Sequence, residues 1–181
     1  KNTLRAGDDA GYVLAGISTV SEPRVPPLVQ SKWSQSTACG ANCYNYYTPN
    51  NYVCGCVATA MAQLMRFHRY PLSGIGRNEF AITVDGTAQS AFTRGGDGSG
   101  GPYKWDLMVL DPQSNCGALT LSQREAIGAL CYDAGVAAHM SYGAEMSGAS
   151  FSDAKDAIFT TFRYRNAVFG SNDGEDVGSG L

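Results

Sequence analysis

The feature that most constrains this sequence is the segment CVATAMAQLMRFH, which runs from Cys56 to His68. Its apolar side chains recur at the i, i+3, i+4, i+7 spacing of a helix with one wide buried face (Val57, Ala60, Met61, Leu64, Met65 and Phe67). Gly55 allows the backbone to turn sharply into the first helical residue, and Pro71 stops the helix. The segment therefore predicts a buried helix whose first residue is a cysteine.

Two further helices are predicted downstream. The pattern Ser122-x-x-Glu125 has the form of a capping box and opens a second helix, which Gly135 is placed to end. The third helix is predicted over Phe151–Phe162, and Ser150 opens it.

The strand signals are short and few, at Glu79–Val84 and Val136–Tyr142. Mixed helix and strand signals in a chain of 181 residues predict one α+β domain. We expect an extended arm over residues 1–27, a folded lobe over 28–169 and an exposed tail over 170–181. The tail is also a candidate processing site.

Charge and composition exclude several classes of function. Thirteen Lys and Arg against sixteen Asp and Glu give a net charge of -3, which provides no basic footprint for nucleic acid. No stretch approaches the ~18 apolar residues of a membrane span. Lys1 begins no signal peptide, so we expect that a leader is absent or already removed.

The Gly-rich run at 95–101 is interpreted as a flexible surface loop, because no Lys-bearing helix follows it in P-loop order.

The six cysteines (Cys39, Cys43, Cys54, Cys56, Cys116 and Cys131) do not have the spacing of a metal site. A structural zinc site normally uses C-x2-C pairs, and neither the pair 39/43 nor the pair 54/56 has that spacing. We therefore expect no metal and favour a disulfide, Cys39–Cys43 or Cys43–Cys54, over zinc. Cys131 lies in an apolar helical pattern and is interpreted as a small buried side chain.

Cys56 carries the strongest chemical signal. The free N–H groups and the dipole of a helix place about half a positive charge at its first turn, which favours a thiolate there. A thiolate at a helix start is suited to nucleophilic attack. From position alone, an inert buried cysteine is an equal alternative.

The helix and its flanks resemble a known family. The segment Gly55–Met65, followed by Phe67-His68-Arg69-Tyr70-Pro71, resembles the active-site helix of the streptopain family of secreted bacterial cysteine endopeptidases with a papain-like fold. Segments 27–35, 103–106 and 131–143 are similar to other parts of the same family. The resemblance implies the helical lobe of a papain-like fold, a protein or peptide substrate, no cofactor, a zymogen precursor and a secreted or cell-surface location.

The resemblance also implies roles for individual residues. Cys56 matches the nucleophile, and Gln35 matches the glutamine that forms an oxyanion hole with the Cys56 backbone N–H. A neutral amide suits that role because it offers donors without a competing charge. The implied substrate-binding residues are Tyr142, Ser147, Gly148 and Ala149. The sequence departs from the family pattern at 144–146 and at His139.

A cysteine peptidase also needs an imidazole within hydrogen-bond reach of the sulfur. His68 lies at the far end of the same helix, about 18 Å away at 1.5 Å per residue, and cannot be the base. His139 stays a second candidate for the base, since distance along the chain does not rule it out, but its segment resembles a cleft-lining part of the family and not the part that carries the base. In the streptopain family the catalytic histidine comes from a β-rich C-terminal region beyond residue 181. We therefore expect a separate companion chain from the same precursor to supply it, or the β-rich lobe to be missing.

Two other functions stay open at this stage. One is a thiol–disulfide redox protein that uses Cys54 and Cys56, although the usual redox motif is C-x-x-C near a βαβ pattern. The other is a protease-like binding module that has no base.

Overall fold

The computed structural model describes residues 27–165. Its strands and helices, in chain order, are β1 (Thr37–Ala38), β2 (Ala41–Asn42), α1 (Cys56–His68), β3 (Glu79–Val84), β4 (Thr87–Phe92), α2 (Leu121–Ala137), β5 (Ser141–Tyr142) and α3 (Phe151–Thr160). The predicted α+β class is confirmed. The predicted tail and all but the last residue of the predicted arm lie outside the described residues.

The two longest helices form the centre of the fold. Helix α1 packs mainly against α2, and α3 contacts both of them. A three-stranded sheet of order β4-β3-β5 packs on α2, while β1 and β2 form a separate short hairpin. None of the described helices is long and apolar enough to cross a membrane.

Helix α1 has the predicted bounds, but only half of its apolar stripe is buried. Its end is closed by Arg69, which adopts the left-handed conformation and donates its N–H to Arg66 O. Val57, Met61 and Met65 are buried, as predicted. The other three apolar side chains are exposed, namely Ala60, Leu64 and Phe67. The prediction of burial was wrong for these three because they lie on a helix face that no described segment covers.

Helix α2 begins and ends outside the predicted positions. Its capping box is formed by Thr120 and Gln123, not by Ser122 and Glu125. Thr120 Oγ1 accepts from Gln123 N–H, and Gln123 Oε1 accepts from Thr120 N–H. Gly135 does not end the helix. It lies inside α2. The position requires glycine because the Tyr142 hydroxyl occupies the space that a Cβ would need.

The sheet contains one strand that the sequence analysis missed. Strand β3 was predicted correctly, and it pairs antiparallel with β4 through a turn at Asp85 and Gly86, both with positive φ. The predicted strand Val136–Tyr142 is reduced to β5, which pairs parallel with β3. Its first two residues belong to α2 instead.

Two local predictions for the remaining segments also need correction. Ser150 caps α3 as predicted, with Oγ accepting from Asp153 N–H, but the helix ends at Thr160 and not at Phe162. The Gly-rich run at 95–101 is a packed loop, because Gly95 and Gly96 lie against the backbone of residues 100–103. Asp97 accepts hydrogen bonds from Ser99 and Gly101 across that loop.

A buried carboxylate joins α2 to the segment after β4. Asp133 Oδ1 accepts from Arg94 N–H at 2.7 Å, and Oδ2 accepts from Gly95 N–H at 2.8 Å and from the Tyr103 hydroxyl at 2.7 Å. Burial raises the pKa of Asp133 to about 6, although the three hydrogen bonds act in the opposite direction. The ionised form is therefore costly in the folded state, even with three donors.

This shift predicts a pH dependence of stability. Because the pKa of Asp133 is higher in the folded protein than in the unfolded chain, its stabilising contribution is complete below about pH 4 and is lost as the pH rises through about 6. Between those limits we expect the free energy of unfolding of the wild type to fall by about 2–3 kcal/mol more than that of Asp133→Asn. Urea unfolding at a series of pH values measures the difference.

The control for this experiment is Asp106→Asn. The Asp106 side chain is 91% exposed, so this variant should keep the pH dependence of the wild type. Parallel stability curves for the wild type and Asp133→Asn would contradict the assignment.

Candidate active site at the start of helix α1

Cys56 is the first residue of α1 and its side chain is exposed. Gly55 precedes it with φ 88° and ψ 150°, no side chain caps the helix, and its first turn contains no acidic residue. The N–H groups of the first turn can therefore donate hydrogen bonds to a negatively charged group beside the sulfur.

All six cysteines lie in the described part of the chain, and Cys56 is the one exposed free thiol among them. Cys39 and Cys116 form a disulfide that links residues 77 positions apart. The expected Cys39–Cys43 and Cys43–Cys54 bonds were wrong, because Cys43 and Cys54 are free and buried. Within residues 27–165, no group of three His, Cys, Asp or Glu side chains is placed to hold a metal ion.

The buried thiols are held in environments unlike that of Cys56. Burial raises the pKa of the Cys43 thiol to about 12. The hydrogen bond with the Cys54 thiol, together with complete burial, raises the pKa of Cys131 well above its usual range. Cys54 Sγ lies 3.3 Å from Thr59 Oγ1, inside the core. The structure therefore separates one accessible sulfur from three enclosed ones.

Gln35 belongs to a segment that runs along α1. Trp33 N–H donates to Gln63 Oε1 (3.2 Å), Thr59 Oγ1 donates to Ser34 O (3.2 Å), and Cys54 N–H donates to Gln35 O (2.8 Å). Gln35 is half-buried, and its side-chain amide makes no hydrogen bond with another described residue. This backbone pairing brings Gln35 to the residues that lead directly into Cys56.

Gly55 brings a second segment to the same place. A Cβ on Gly55 would lie 2.9 Å from Ser147 O and 2.9 Å from Met140 Sδ, so only glycine permits this approach. The segment that carries Ser147 is fixed to β5 by two hydrogen bonds between the backbones of Ser141 and Gly148. The backbone of the predicted residue Ser147 is thus adjacent to the start of α1, although the residue is only 5% exposed. Sequence reasoning missed Met140, whose only signal was its place in an apolar run.

The other predicted substrate-binding residues differ in accessibility. Gly148 is exposed with open space around its Cα, and Ala149 is half-buried. Tyr142, in contrast, is 1% exposed, and its hydroxyl lies over Gly135 in the core. The Tyr142 side chain therefore packs beneath this segment and is not available to a substrate in this structure.

Neither histidine is positioned by a contact with Cys56. His68 ends α1, and its ring lies edge-on to Phe67 and to Tyr164. His139 Nδ1 lies 2.9 Å from Ala81 O, and its ring packs edge-on against Phe80 of β3. Among the described residues, therefore, the nucleophile candidate has no imidazole partner.

An exposed apolar stripe begins at Cys56. Ala60, Leu64 and Phe67 follow it at helical spacing on the same face of α1, and Leu64 and Phe67 are 38% and 44% exposed. Next to the stripe, Phe67 lines a cavity of about 240 Å³ together with the exposed side chains of Leu28 and Leu110. Neighbouring exposed apolar side chains of this kind indicate a candidate docking face.

Comparisons with known proteins agree on one family. The sequence profile of the peptidase C10 family matches residues 33–177. Streptopain from Streptococcus pyogenes serotype M1 is 26% identical over 179 residues, which cover 89% of this chain and 43% of streptopain. Another Streptococcus pyogenes streptopain is 26% identical over 172 residues, or 85% of this chain and 41% of that protein. The chain spans less than half the length of these relatives.

The fold of this chain resembles solved structures of related proteases. The active wild-type interpain A cysteine protease of Prevotella intermedia has a TM-score of 0.58 and 31% identity, covering 75% of this chain and 53% of interpain A. A prointerpain A fragment with a cysteine-to-alanine substitution, from the same organism, has a TM-score of 0.53 and 28% identity over 75% of this chain and 42% of that fragment. The predicted papain-like architecture is confirmed.

The burial of the thiols predicts selective alkylation. Iodoacetamide added to the folded chain should modify Cys56 alone, because the other three free thiols are enclosed. Peptide mass spectrometry identifies the site, and Cys56→Ala should take up no label until the chain is unfolded in guanidinium. Labelling of Cys43, Cys54 or Cys131 at a rate similar to that of Cys56 would contradict the structure.

Proposed function

The chain belongs to the peptidase C10 family, and on that premise we propose that it is the cysteine-bearing lobe of a cysteine endopeptidase. In this proposal Cys56 is the nucleophile that cleaves peptide bonds in protein substrates. The observation that carries the proposal is the exposed thiol at the uncapped start of α1, with the Gln35 and Ser147 segments on either side of it.

The proposed mechanism follows from this arrangement. The Cys56 thiolate attacks the carbonyl carbon of the scissile bond, and the electron pair of the carbonyl moves to its oxygen. The Cys56 N–H and the Gln35 amide stabilise that oxyanion, a type of interaction often worth about 3–4 kcal/mol per donor. A protonated imidazole then gives its proton to the leaving amine, and the C–N bond breaks. Water, deprotonated by the same imidazole, hydrolyses the acyl-enzyme and returns the thiolate.

The imidazole comes, in this proposal, from a second lobe that packs on the exposed stripe of α1. Two observations support this. Neither His68 nor His139 is held at Cys56, and the apolar side chains of Leu64 and Phe67 continue the same helix face that carries the sulfur. A lobe that covers the stripe would enclose Cys56 at its edge. We propose that this lobe is a companion chain, cut from the C-terminal part of the same precursor.

The substrate would lie across the start of α1. Ser147, Gly148 and Ala149 are proposed to line the cleft, since Ser147 O approaches Gly55 and Gly148 is open to solvent. Tyr142 is proposed to support this segment from the core without touching the substrate, because its ring is buried. Small side chains at 147–149 leave room for the substrate side chain.

A secreted or cell-surface location in a bacterium, with a zymogen precursor, is part of the same proposal. The Cys39–Cys116 disulfide supports it, because structural disulfides persist mainly in oxidising compartments outside the cytosol.

Of the two alternatives, the redox reading has no structural support. Cys54 is buried against Thr59, whereas Cys56 is exposed, so the two sulfurs do not form one accessible dithiol. The second alternative is a binding module without a base. Such a module would bind peptide without hydrolysing it, and Cys56→Ser would leave that binding unchanged.

The direct test of the proposed activity is proteolysis of fluorescent casein by the complete protein, with both lobes present. We expect Cys56→Ser to abolish hydrolysis and Gln35→Ala to lower kcat by about 100–1000-fold, because one oxyanion donor is lost. Gln113→Ala, an exposed glutamine in the loop before α2, is the control and should retain full activity. Full activity of Cys56→Ser would refute the proposal.

The proposed docking of the second lobe predicts a separate effect on assembly. Leu64→Asp places a charge in the apolar stripe and should prevent both co-purification of the companion lobe and hydrolysis, while Cys56 in this chain still reacts with iodoacetamide. Leu121→Asp is the matched control, since Leu121 is 52% exposed at the start of α2 and away from the stripe. Unchanged assembly and activity in Leu64→Asp would show that the stripe is not the interface.

A further inference from the structure

The outer edge of β4 borders an open cavity that has no part in the proposed catalytic site. β4 is an outer strand of the sheet, and five of its six residues are exposed. The cavity has a volume of about 500 Å³, and four consecutive residues of β4 line it (Gln89, Ser90, Ala91 and Phe92). Ile82 of β3, which pairs with Gln89, and Tyr132 of α2 also line it, so the cavity lies where that face of the sheet meets the free edge of β4.

Backbone groups of β4 face this cavity. Val84 and Thr87 are opposite each other across the two-residue turn, and such a pair is hydrogen-bonded in a hairpin of this type. Hydrogen-bonded and non-hydrogen-bonded pairs alternate along an antiparallel ladder. Ala88, Ser90 and Phe92 therefore direct their N–H and C=O groups outward, where a further strand could pair with them.

Two guanidinium groups flank the same edge. The Arg94 guanidinium lies 3.6 Å above the ring of Tyr47, and that of Arg77 lies 5.0 Å above the ring of Phe92. Neither forms an ion pair with a carboxylate of residues 27–165. Stacking on a ring occupies the flat face of a guanidinium and leaves its N–H groups for hydrogen bonds. Arg94 Nη1 donates one of these to Gly95 O at 3.3 Å, and its remaining N–H groups can meet a carboxylate.

The cavity wall joins the two positive charges. Tyr132 lines the same cavity. Burial and the Asp133 charge raise the pKa of its phenol, and the Arg94 and Arg77 charges act to lower it. The backbone of Arg94 is fixed by its hydrogen bond to buried Asp133. This edge thus carries two positive charges on a rigid support, while Glu79 pairs with Phe92 across the ladder and Asp97 and Glu125 line a neighbouring cavity with Arg94.

We propose that the edge of β4 is a docking site for an extended acidic peptide segment of a partner protein. The segment adds to the sheet as a further strand beside β4, through the outward groups of Ala88, Ser90 and Phe92. Its carboxylate side chains meet Arg77 and Arg94. The site shares no residue with the Cys56 site, so the proposal stands or falls independently of the proposed peptidase activity.

The backbone groups favour a peptide over a free anion. A phosphate or sulfate would use only the two guanidinium groups, whereas an extended peptide also satisfies the unpaired N–H and C=O groups of the strand. Binding should therefore depend on both the charge of the ligand and the free edge of β4.

Fluorescence anisotropy of the 181-residue chain with the labelled octapeptide TEVEVDVT tests the proposal. We expect Arg77→Gln and Arg94→Gln each to raise the Kd by at least about fivefold, because each removes one charge pair. The neutral isosteric peptide TQVQVNVT should bind at least about tenfold more weakly than TEVEVDVT. Lys155→Gln, which removes an exposed positive charge on α3, is the control and should leave the Kd unchanged.

Two variants of Ser90 separate strand addition from simple charge attraction. Ser90→Pro removes an outward N–H without breaking the β3–β4 ladder and should raise the Kd by at least about tenfold, whereas Ser90→Ala should not. Thermal unfolding confirms that each variant is folded. Equal Kd values for the wild type, Arg77→Gln and Ser90→Pro, or equal binding of the two peptides, would overturn the proposal. Full displacement by inorganic phosphate, with Ser90→Pro binding like wild type, would assign the edge to a small anion and overturn it as well.

Discussion

The close approach of three backbone segments at the start of α1 is the contact on which the site depends. Gly55 permits it, since a side chain there would collide with Ser147 O and Met140 Sδ, and its positive φ directs the chain into the helix. The hydrogen bond from Cys54 N–H to Gln35 O holds the third segment in place. The start of α1 is thus fixed by backbone contacts of Cys54 and Gly55 with the Gln35 and Ser147 segments.

The same helix carries apolar side chains that the described residues leave exposed. Its buried face, with Met61 and Met65, packs on α2 and would suffice for an ordinary amphipathic helix. The additional apolar residues Leu64 and Phe67 widen the stripe past what this lobe can cover. On the proposed mechanism, the nucleophile then lies at the border between a buried face and a docking face, so that assembly of the lobes and completion of the catalytic pair occur in one step.

The sequence predicts what local pattern determines and fails where distant contacts decide. Helix α1, the cap at Ser150 and strand β3 follow from spacing within a few residues, and their predictions hold. The apolar stripe of α1 shows the limit of such patterns. Periodicity identifies the apolar residues of a helix but does not show which neighbouring segment covers them. Strand β4 has one buried residue and no clear alternation, so the Asp85-Gly86 turn was the available signal for it. The Cys39–Cys116 bond and the contact of Gly55 with Ser147 join residues far apart in the chain, which no local pattern reports.

The most direct measurement is a crystal structure of the complete protein with a peptidyl aldehyde bound to its active site. The account predicts a covalent bond from Cys56 Sγ to the aldehyde carbon, with the resulting oxygen hydrogen-bonded to the Cys56 N–H and the Gln35 amide. It also predicts an imidazole beside the sulfur, contributed by a lobe that covers Leu64 and Phe67. An aldehyde bound elsewhere, or a Cys56 sulfur with no imidazole near it in the assembled protein, would contradict the account.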